Sequence, residues 1–235
     1  MKLSIIIPFY NESRNIPLVL EAFAEFSNLY EFELICVNDG SKDDTLSIFE
    51  CILPKEKYGF AKLISYQPNR GYGHAIMTGL KEARGDMVAW THSDMQTSAA
   101  DVFRAHDVYA GHSSEKLVVK GWRINRALSQ IIFSFGMAVV ASLILRRKFA
   151  EINAQPKLFP RGLISLMKNP PKDFSLDLYL LCVAQNNGYE IETINVYFPN
   201  RIYGESKWAF SWKSKLKTIW RSIKYIWALR NNANS

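Results

Sequence analysis

Short apolar runs alternate with segments of helical periodicity through the first half of the chain. The runs are rich in β-branched and aromatic residues and are bounded by polar residues, a pattern typical of buried strands. Strands are predicted at residues 3–7, 32–37, 61–65, 87–90 and 117–119. Helices are predicted between them at about residues 15–27, 43–52, 73–83 and 99–109. This alternation predicts an α/β fold with a mostly parallel central sheet and helices on both faces.

An uncharged segment of 19 residues, 127–145, interrupts the alternation. It lies between Arg126 and the basic run Arg146, Arg147 and Lys148, and its length is at the lower limit for a helix that crosses a bilayer. A crossing would put the two halves of the chain on opposite sides of a membrane, although both halves contribute to one predicted site. We therefore expect a helix that is buried in the protein or lies in a membrane interface.

The last part of the chain, residues 207–235, has the pattern of a basic amphipathic helix. Its apolar stripe consists of Trp208, Trp212, Leu216, Ile219, Trp220, Ile223 and Trp227. Its basic stripe consists of Lys213, Lys217, Arg221 and Lys224. Such a helix is too basic to span a bilayer, so we expect residues 207–230 to lie flat on an anionic membrane surface. The alternative is packing on the domain or on a second subunit, with the 127–145 helix as its partner.

Composition and charge narrow the class of protein. The chain has 235 residues, of which 48% are hydrophobic and 22% charged, so a disordered chain or a disulfide-stabilised miniprotein is excluded. The net charge is +7, and residues 201–235 account for all of it with eight Lys or Arg against one Glu. A concentrated basic segment indicates a polyanionic partner, either anionic lipid or nucleic acid. Nucleic-acid binding leaves the acidic residues at the strand ends unexplained, so we expect no nucleic-acid partner.

Cysteine usage and the first residues of the chain bear on location. Cys36, Cys51 and Cys182 are an odd set without paired spacing, which indicates reduced thiols in a reducing compartment. The apolar stretch near the start is only five residues long, too short for the core of a signal peptide. We expect a cytoplasmic protein.

Polar residues follow the predicted strands, at the edge where ligands bind in an open parallel sheet. Taken singly, the motifs there are ambiguous. The turn around Asp39 needs no ligand to explain it, the glycine-rich loop 69–75 lacks the ending of a P-loop, and Asp94 also suits a helix cap. Asp94 and Gln96 together offer hard oxygen donors for Mg²⁺ or Mn²⁺ at a diphosphate.

The order of these motifs resembles family 2 glycosyltransferases, which have the GT-A fold. The resemblance to the nucleotide-sugar-binding half of that family lies in IIIPFYNE, ICVNDGSKDDT and NRGYGHAIMTGLKEARGDMVAWTHSDMQ. VVKGWRINR, FAEINAQPKLFPR and YFPNRIYGESKW resemble the polyprenol-phosphate (dolichol-phosphate) mannosyltransferase branch. The resemblance covers residues 2–208 and implies a GT-A domain at 1–206, with a donor-binding half at 1–120 and an acceptor-side half at 121–206, followed by the helix of 207–235.

The resemblance also implies the donor and metal ligands. The donor-binding residues are Pro8, Tyr10, Glu12, Asp39, Asn69, Gly71, Ser93 and Asp94. Asp94 and Gln96 hold a divalent cation, and His92 stands where the family pattern has its first Asp. A neutral imidazole can still ligate the ion, but it brings less charge, so weaker or altered metal dependence is expected.

On the acceptor side, the resemblance implies a set of phosphate-binding residues: Arg123, Arg126, Arg201, Ser206 and Lys207. An acceptor phosphate is already ionised and attacks directly, whereas a sugar hydroxyl must lose a proton to a carboxylate. Glu151 and Asp177 are the candidates for that general base. Asp177 has two further interpretations, which are contact with a phosphate through a bound cation, or exposure to solvent.

The activity implied is inverting transfer of a sugar from a nucleotide donor to a membrane-located acceptor, most simply a polyprenyl phosphate, with Asp94 and Arg123 as catalytic residues. One alternative extends a lipid-linked or cell-surface glycan at a sugar hydroxyl. Another, prompted by His92, is an inactive nucleotide-sugar-binding protein. The expected location is the cytoplasmic face of a membrane, and a homo-oligomer is left open.

Overall fold

The computed structural model of the chain describes residues 1–126, 128–203 and 212–232. The strands in these ranges are β1 (Leu3–Phe9), β2 (Phe32–Asp39), β3 (Ala61–Tyr66), β4 (Met87–Trp90), β5 (Leu117–Ile124), β6 (Lys157–Pro160) and β7 (Glu190–Tyr197). The α-helices are α1 (Ile16–Ala24), α2 (Thr45–Ile52), α3 (Tyr72–Lys81), α4 (Ala99–Ala110), α5 (Leu128–Leu145), α6 (Leu176–Asn186) and α7 (Trp212–Asn232). Ser206 and Lys207 lie outside the described residues.

The strands form one sheet in the order β3-β2-β1-β4-β6-β5-β7. Neighbours from β3 to β4 are parallel, β5 and β7 are parallel, and β6 runs antiparallel between β4 and β5. The mostly parallel sheet predicted from the sequence is confirmed, and each of its five predicted strands is present. The carboxyl ends of β1, β2, β3 and β4 therefore meet at one edge.

Helices cover both faces of the sheet. The β1 side chains, which alternate between the two faces, are therefore buried on both sides. Ile5 and Ile7 belong to a buried cluster that includes Phe23 of α1 and Phe103 of α4. Ile6, between them, belongs to the opposite cluster, which is built from α3 and α6. Burial of both faces explains why β1 is a continuous apolar run.

The sequence prediction omitted β6, α6 and β7 and ended β5 too early. β6 has only four residues, including Lys157 and Pro160, so it carries no apolar run. β7 pairs only with β5 and alternates between exposed polar residues and the buried Ile194 and Val196. Its alternation was a usable signal for a half-buried edge strand.

The uncharged segment forms α5, which packs against α7 and α6. Ala141 of α5, Ile226 of α7 and Leu181 of α6 share one buried cluster. The second half of α7 therefore packs on α5. This is the alternative to membrane binding that the sequence left open for the C-terminal helix. Within the described ranges, no helix combines the length and hydropathy required to span a membrane.

A candidate active site at the carboxyl edge of the sheet

Hydrogen bonds connect the loop that follows β1 to the loop that follows β2. Asn11 has a positive φ of 56° and its backbone N–H donates to Ser41 Oγ at 2.9 Å. In return, Lys42 N–H donates to Asn11 Oδ1 at 2.7 Å, and Glu12 N–H donates to Thr45 Oγ1 at 3.2 Å. The predicted donor-binding residues Tyr10 and Glu12 thus lie on a loop that the neighbouring strand end fixes in place, and Pro8 lies in β1 just before it.

The Asp39 carboxylate fixes the glycine-rich loop. Asn69 Nδ2 donates to Oδ2 at 2.9 Å, Arg70 N–H to Oδ1 at 2.8 Å and Gly71 N–H to Oδ2 at 2.9 Å. Asp39 is 3% exposed. The structure brings Asp39, Asn69 and Gly71 together as predicted, and it gives Asp39 a positioning task in addition to any contact with a donor.

The glycine-rich loop is not an open phosphate cradle. The first backbone N–H groups of α3, those of Gly73 and His74, donate to the Lys172 carbonyl at 2.9 and 3.2 Å. Gly71 has φ +102°, and a Cβ there would lie 2.5 Å from the same carbonyl oxygen. The glycines are thus required by the close approach of the segment around Lys172, and the helix donors that would bind a phosphate are already used.

Asp94, Gln96 and Arg201 form a closed network. Arg201 contacts Asp94 Oδ2 through a terminal nitrogen at 2.9 Å and donates from Nε to Gln96 Oε1 at 3.2 Å. The other Asp94 oxygen accepts the Gln96 backbone N–H at 3.2 Å, and Gln96 Nε2 donates to the Pro199 carbonyl at 2.8 Å. A guanidinium therefore occupies the oxygen donors that the sequence assigned to a metal ion, and it links the segment after β7 to the end of β4.

Glu12 lies beside this network and has a raised pKa. Burial is the main cause and the Asp94 charge adds to it, whereas the hydrogen bond from Asn15 and the charge of Arg201 act in the opposite direction. Asn15 Nδ2 donates to Glu12 Oε2 at 2.5 Å. The hydrogen bond from Asn15 therefore fixes the Glu12 carboxyl group beside the network of Asp94, Gln96 and Arg201.

His92, the third predicted metal ligand, lies close enough to Asp94 for their charges to interact. Burial lowers the pKa of His92, the charges of Lys157 and Arg201 act in the same direction, and Asp94 and Asp177 oppose them. The neutral imidazole is the form that ligates metals. One carboxylate, one amide oxygen and one imidazole suit Mn²⁺ or Mg²⁺ when a diphosphate supplies further oxygens. Within the described residues, no group of three His, Cys, Asp or Glu side chains could hold a metal ion.

A second charged centre joins the end of β5 to the segment that precedes β6. Arg123 Nε donates to Glu151 Oε2 at 2.8 Å, and Arg126 forms an ion pair with Oε1 of the same carboxylate. Burial and the charge of Arg123 lower the pKa of Arg126, while Glu151 opposes them. The structure thus brings the three predicted residues together, and both oxygens of the proposed base are engaged by guanidinium groups.

Two buried lysines, which the sequence prediction missed, support the backbone around Glu151. Lys120 Nζ donates to the Glu151 carbonyl at 3.0 Å, and Lys157 Nζ donates to the carbonyls of Ile152 and Ala154 at 2.7 and 2.8 Å. Burial lowers the pKa of Lys120 to about 7, and the neighbouring charge of Lys157 contributes. The sequence signal was Lys120 inside the apolar stretch of β5, whereas Lys157 lies in the short β6, which carries no apolar run.

Asp177 is buried at the start of α6. Its Oδ1 accepts hydrogen bonds from Trp90 Nε1 at 3.1 Å, Gln155 Nε2 at 2.9 Å and Lys157 Nζ at 3.2 Å. The residue is 0% exposed, so the solvent-facing interpretation is wrong. Gln155 also donates to Tyr72 Oη at 3.1 Å, which connects Asp177 to the first turn of α3. Asp177 Oδ2 has no hydrogen-bond partner in the described structure, and a carboxylate buried in this way is poorly placed to take a proton from an acceptor.

Comparison with known proteins gives consistent matches. Residues 4–107 match the model of the family described as glycosyl transferase family 2. A dolichyl-phosphate beta-glucosyltransferase of Trichomonas vaginalis is 27% identical over 220 residues, which cover 86% of this chain and 66% of that protein. A dolichyl-phosphate beta-glucosyltransferase of Dictyostelium discoideum is 31% identical over 48% of this chain and 36% of its own length. An undecaprenyl-phosphate 4-deoxy-4-formamido-L-arabinose transferase of Pseudomonas fluorescens is 34% identical over 43% of this chain and 30% of its own length.

Solved structures share the fold. Glucosyl-3-phosphoglycerate synthase from Mycobacterium tuberculosis, in complex with Mn²⁺, uridine diphosphate and glucosyl-3-phosphoglycerate, matches with a TM-score of 0.75 at 17% identity, covering 97% of this chain and 79% of that chain. The same enzyme with Mg²⁺ and uridine diphosphate matches with a TM-score of 0.70 at 16% identity, over 97% of this chain and 79% of that one. At this identity the likeness concerns the fold alone, and it confirms the fold expected from the sequence.

Proposed function

We propose that the chain, whose residues 4–107 match the glycosyl transferase family 2 model, transfers a sugar from a nucleotide-sugar donor to a polyprenyl phosphate with inversion at the anomeric carbon. The observation that carries this proposal is the presence of two separate charged centres in one fold. One contains Asp94, Gln96 and Arg201, and the other contains Arg123, Arg126 and Glu151. A donor diphosphate and an acceptor phosphate each require such a centre.

The donor side uses the fixed loops at the ends of β1 to β4. We assign the base and ribose to Pro8, Tyr10, Glu12 and Asp39, and the remaining donor contacts to Asn69, Gly71 and Ser93. Because hydrogen bonds already fix Asp39 and the 69–71 loop to each other, little conformational entropy is lost when the donor binds. Glucose is the first sugar to test, since the relatives from T. vaginalis and D. discoideum are named as glucosyltransferases.

We assign a divalent cation, Mg²⁺ or Mn²⁺, to Asp94, Gln96 and His92. Bound there, it would neutralise the charge that develops on the departing nucleoside diphosphate. Asp94 and Gln96 must first release Arg201, because the guanidinium contacts both side chains. Arg201 is then free to bind the acceptor phosphate, together with Ser206 and Lys207 of the same stretch. Donor binding and acceptor binding are thereby coupled through one side chain.

The acceptor phosphate needs no general base. A phosphate monoester is ionised at neutral pH and can attack the anomeric carbon directly. Arg123 and Arg126 orient it, and Glu151 holds the two guanidinium groups in place until the acceptor arrives. If the acceptor were a sugar hydroxyl, Glu151 would have to act as a base, and its ion pairs with both arginines oppose that role.

We propose that the chain works at the cytoplasmic face of a membrane without crossing it. In support, α5 exposes large apolar side chains along one face, with Leu128 and Leu143 72% exposed, Phe135 67% and Ile132 62%. On α7, Trp220 is 73% and Trp227 48% exposed. Two packed helices with outward aromatic and aliphatic residues suit the headgroup boundary of an anionic bilayer. A second copy of the chain covering these residues is the alternative.

A second candidate function is that of an inactive nucleotide-sugar-binding protein. The replacement of the first Asp by His92 and the engagement of Asp94 by Arg201 both favour it. A thermal-shift screen of nucleotide sugars with and without Mn²⁺ and Mg²⁺ tests the shared donor site, because a ligand that binds only the folded state raises Tm. We expect the largest increase with UDP-glucose plus Mn²⁺. A transfer assay then separates enzyme from binding protein.

A further inference from the structure

A cavity outside the candidate active site lies between the end of α5, the body of α6 and the second half of α7. Its volume is about 820 Å³, which is within the range of small-molecule sites. The α6 residues Tyr179, Cys182, Val183 and Asn186 line the cavity from one face of the helix. Asp177 lies two residues before Tyr179, so at 3.6 residues per turn the two positions are roughly 200° apart around the helix axis, on opposite sides of α6.

The lining of the cavity is strongly basic. Arg146, Arg147, Lys168 and Arg230 line it, and none of its lining residues is acidic. Within the described part of the chain, none of these four forms an ion pair with a carboxylate. The C termini of α5, α6 and α7 contribute roughly half a negative charge each. Four cations therefore leave an excess of positive charge that favours an anion, and three of them are guanidinium groups, which suit phosphate oxygens.

Part of the lining of the cavity is apolar. Tyr179 and Val183 of α6 are 7% and 8% exposed, and Ile144 and Leu229 contribute from the flanking helices. Leu143, 72% exposed on the open face of α5, directly precedes Ile144. Two of the basic lining residues, Arg146 and Arg147, directly follow the C-terminal end of α5, where Leu143 is exposed. A ligand that matches both parts has an anionic head and a hydrocarbon portion.

We propose that this cavity binds the phosphate headgroup of an anionic phospholipid, with the acyl chains lying along the exposed face of α5. The site is separate from the candidate active site, since it shares no residue with the Asp94 or Glu151 centres. Its ligand is a lipid of the membrane surface and is not consumed. The proposal goes beyond the transfer reaction and does not depend on it.

The test uses the full chain and a soluble short-chain lipid, dihexanoyl-phosphatidylglycerol, below its micelle concentration. Binding is measured by titration calorimetry, with native mass spectrometry to count bound lipids. The wild type should bind one molecule saturably. The double variant Arg147→Gln, Arg230→Gln should bind about tenfold more weakly or worse, because charge-assisted hydrogen bonds are lost. The matched control, Lys81→Gln, Lys148→Gln, removes the same charge at exposed residues outside this cavity and should change binding by less than about twofold.

Several results would overturn the proposal. These are non-saturable binding by the wild type, equal weakening in both double variants, or binding of glycerol 3-phosphate as tight as that of the lipid, which would identify a soluble phosphate compound as the ligand. If the first double variant has a lowered Tm, Lys168→Gln, at an exposed position, takes its place, and unchanged lipid binding in that variant also overturns the proposal. A wild type that binds the lipid but transfers no sugar leaves this site intact and refutes only the proposed function.

Discussion

The guanidinium of Arg201 lies 2.9 Å from Asp94 Oδ2 and holds the carboxylate that the proposed metal ion needs. The two residues are far apart in sequence, and they meet because the segment after β7 reaches the end of β4. The Asp94 side chain is 8% exposed and that of Arg201 is 28% exposed. The contact is therefore partly shielded from solvent, and a divalent ion must compete with it.

Arg201→Ala should strengthen Mn²⁺ binding and weaken transfer. Metal affinity in the absence of donor should rise several-fold, because the guanidinium no longer competes for Asp94 and Gln96. Transfer should fall by about tenfold or more, with Tm almost unchanged, since a partly exposed ion pair contributes about 1 kcal/mol or less. Calorimetry with Mn²⁺ and an assay at saturating donor measure the two effects.

The matched control is Arg104→Ala, which removes a different surface ion pair, with Asp101. Unchanged metal affinity in Arg201→Ala would show that the contact does not compete with an ion.

His92→Asp should raise the affinity for Mg²⁺ by about tenfold, because a second carboxylate adds charge next to Asp94. The change also restores the family pattern at this position. Titration with each ion in the presence of UDP measures the effect. If neither Mg²⁺ nor Mn²⁺ affinity responds, His92 does not contact the ion.

Glu151→Gln distinguishes the two acceptor chemistries. If Glu151 positions Arg123 and Arg126 for a phosphate, kcat should stay within about threefold while KM for the acceptor rises. A general base for a hydroxyl acceptor would instead lower kcat by about a hundredfold or more. Steady-state kinetics with varied polyprenyl phosphate gives both parameters. Arg123→Ala, as a companion variant, should raise the acceptor KM more than Glu151→Gln does.

Lys120 should make stability depend on pH in a defined window. Burial lowers its pKa in the folded state from 10.5 to about 7. Between these two values the unfolded chain holds a proton that the folded chain has released, so the free energy of unfolding rises with pH across that interval. Lys120→Met removes this contribution. The stability of the wild type relative to Lys120→Met should therefore increase from pH 7 to 9, as measured by urea unfolding at each pH. A difference that is flat over this range would mean that Lys120 stays charged in the folded protein.

Membrane binding should depend on the exposed face of α5. Ile132→Asn with Phe135→Asn should reduce sedimentation with anionic vesicles severalfold without lowering Tm, because the two side chains are 62% and 67% exposed. Leu29→Asn, at another residue that is 72% exposed, serves as the control. Removal of residues 207–235 is a less clean test, since it uncovers the cluster that contains Ile226. Equal vesicle binding by all variants would favour a second subunit as the cover of α5.

The sequence predicted β1, β2 and β4, which are buried strands, and also β3, which is an edge strand of intermediate exposure. β1 to β4 are apolar runs, and the polar residues after them were placed correctly at one edge. The short β6 and the one-sided β7 escaped prediction because neither produces an apolar run. The contacts of Asp94 with Arg201, and of Lys157 with Asp177, join positions that no local pattern connects. In the glycine-rich loop a local motif was visible, but its cause was not. Its glycines are required because the backbone around Lys172 approaches them too closely for a side chain.

The central claim is tested most directly by transfer from UDP-glucose to a polyprenyl phosphate with Mn²⁺ present, comparing the wild type with Asp94→Asn. The wild type should form polyprenyl-phosphate glucose with the β configuration, identified by the NMR coupling of the anomeric proton, because a single displacement inverts the α-linked donor. Asp94→Asn should lose about a hundredfold or more in rate at unchanged Tm, since the leaving diphosphate loses its charge stabilisation. An α-linked product, or near-normal turnover by Asp94→Asn, would contradict the account.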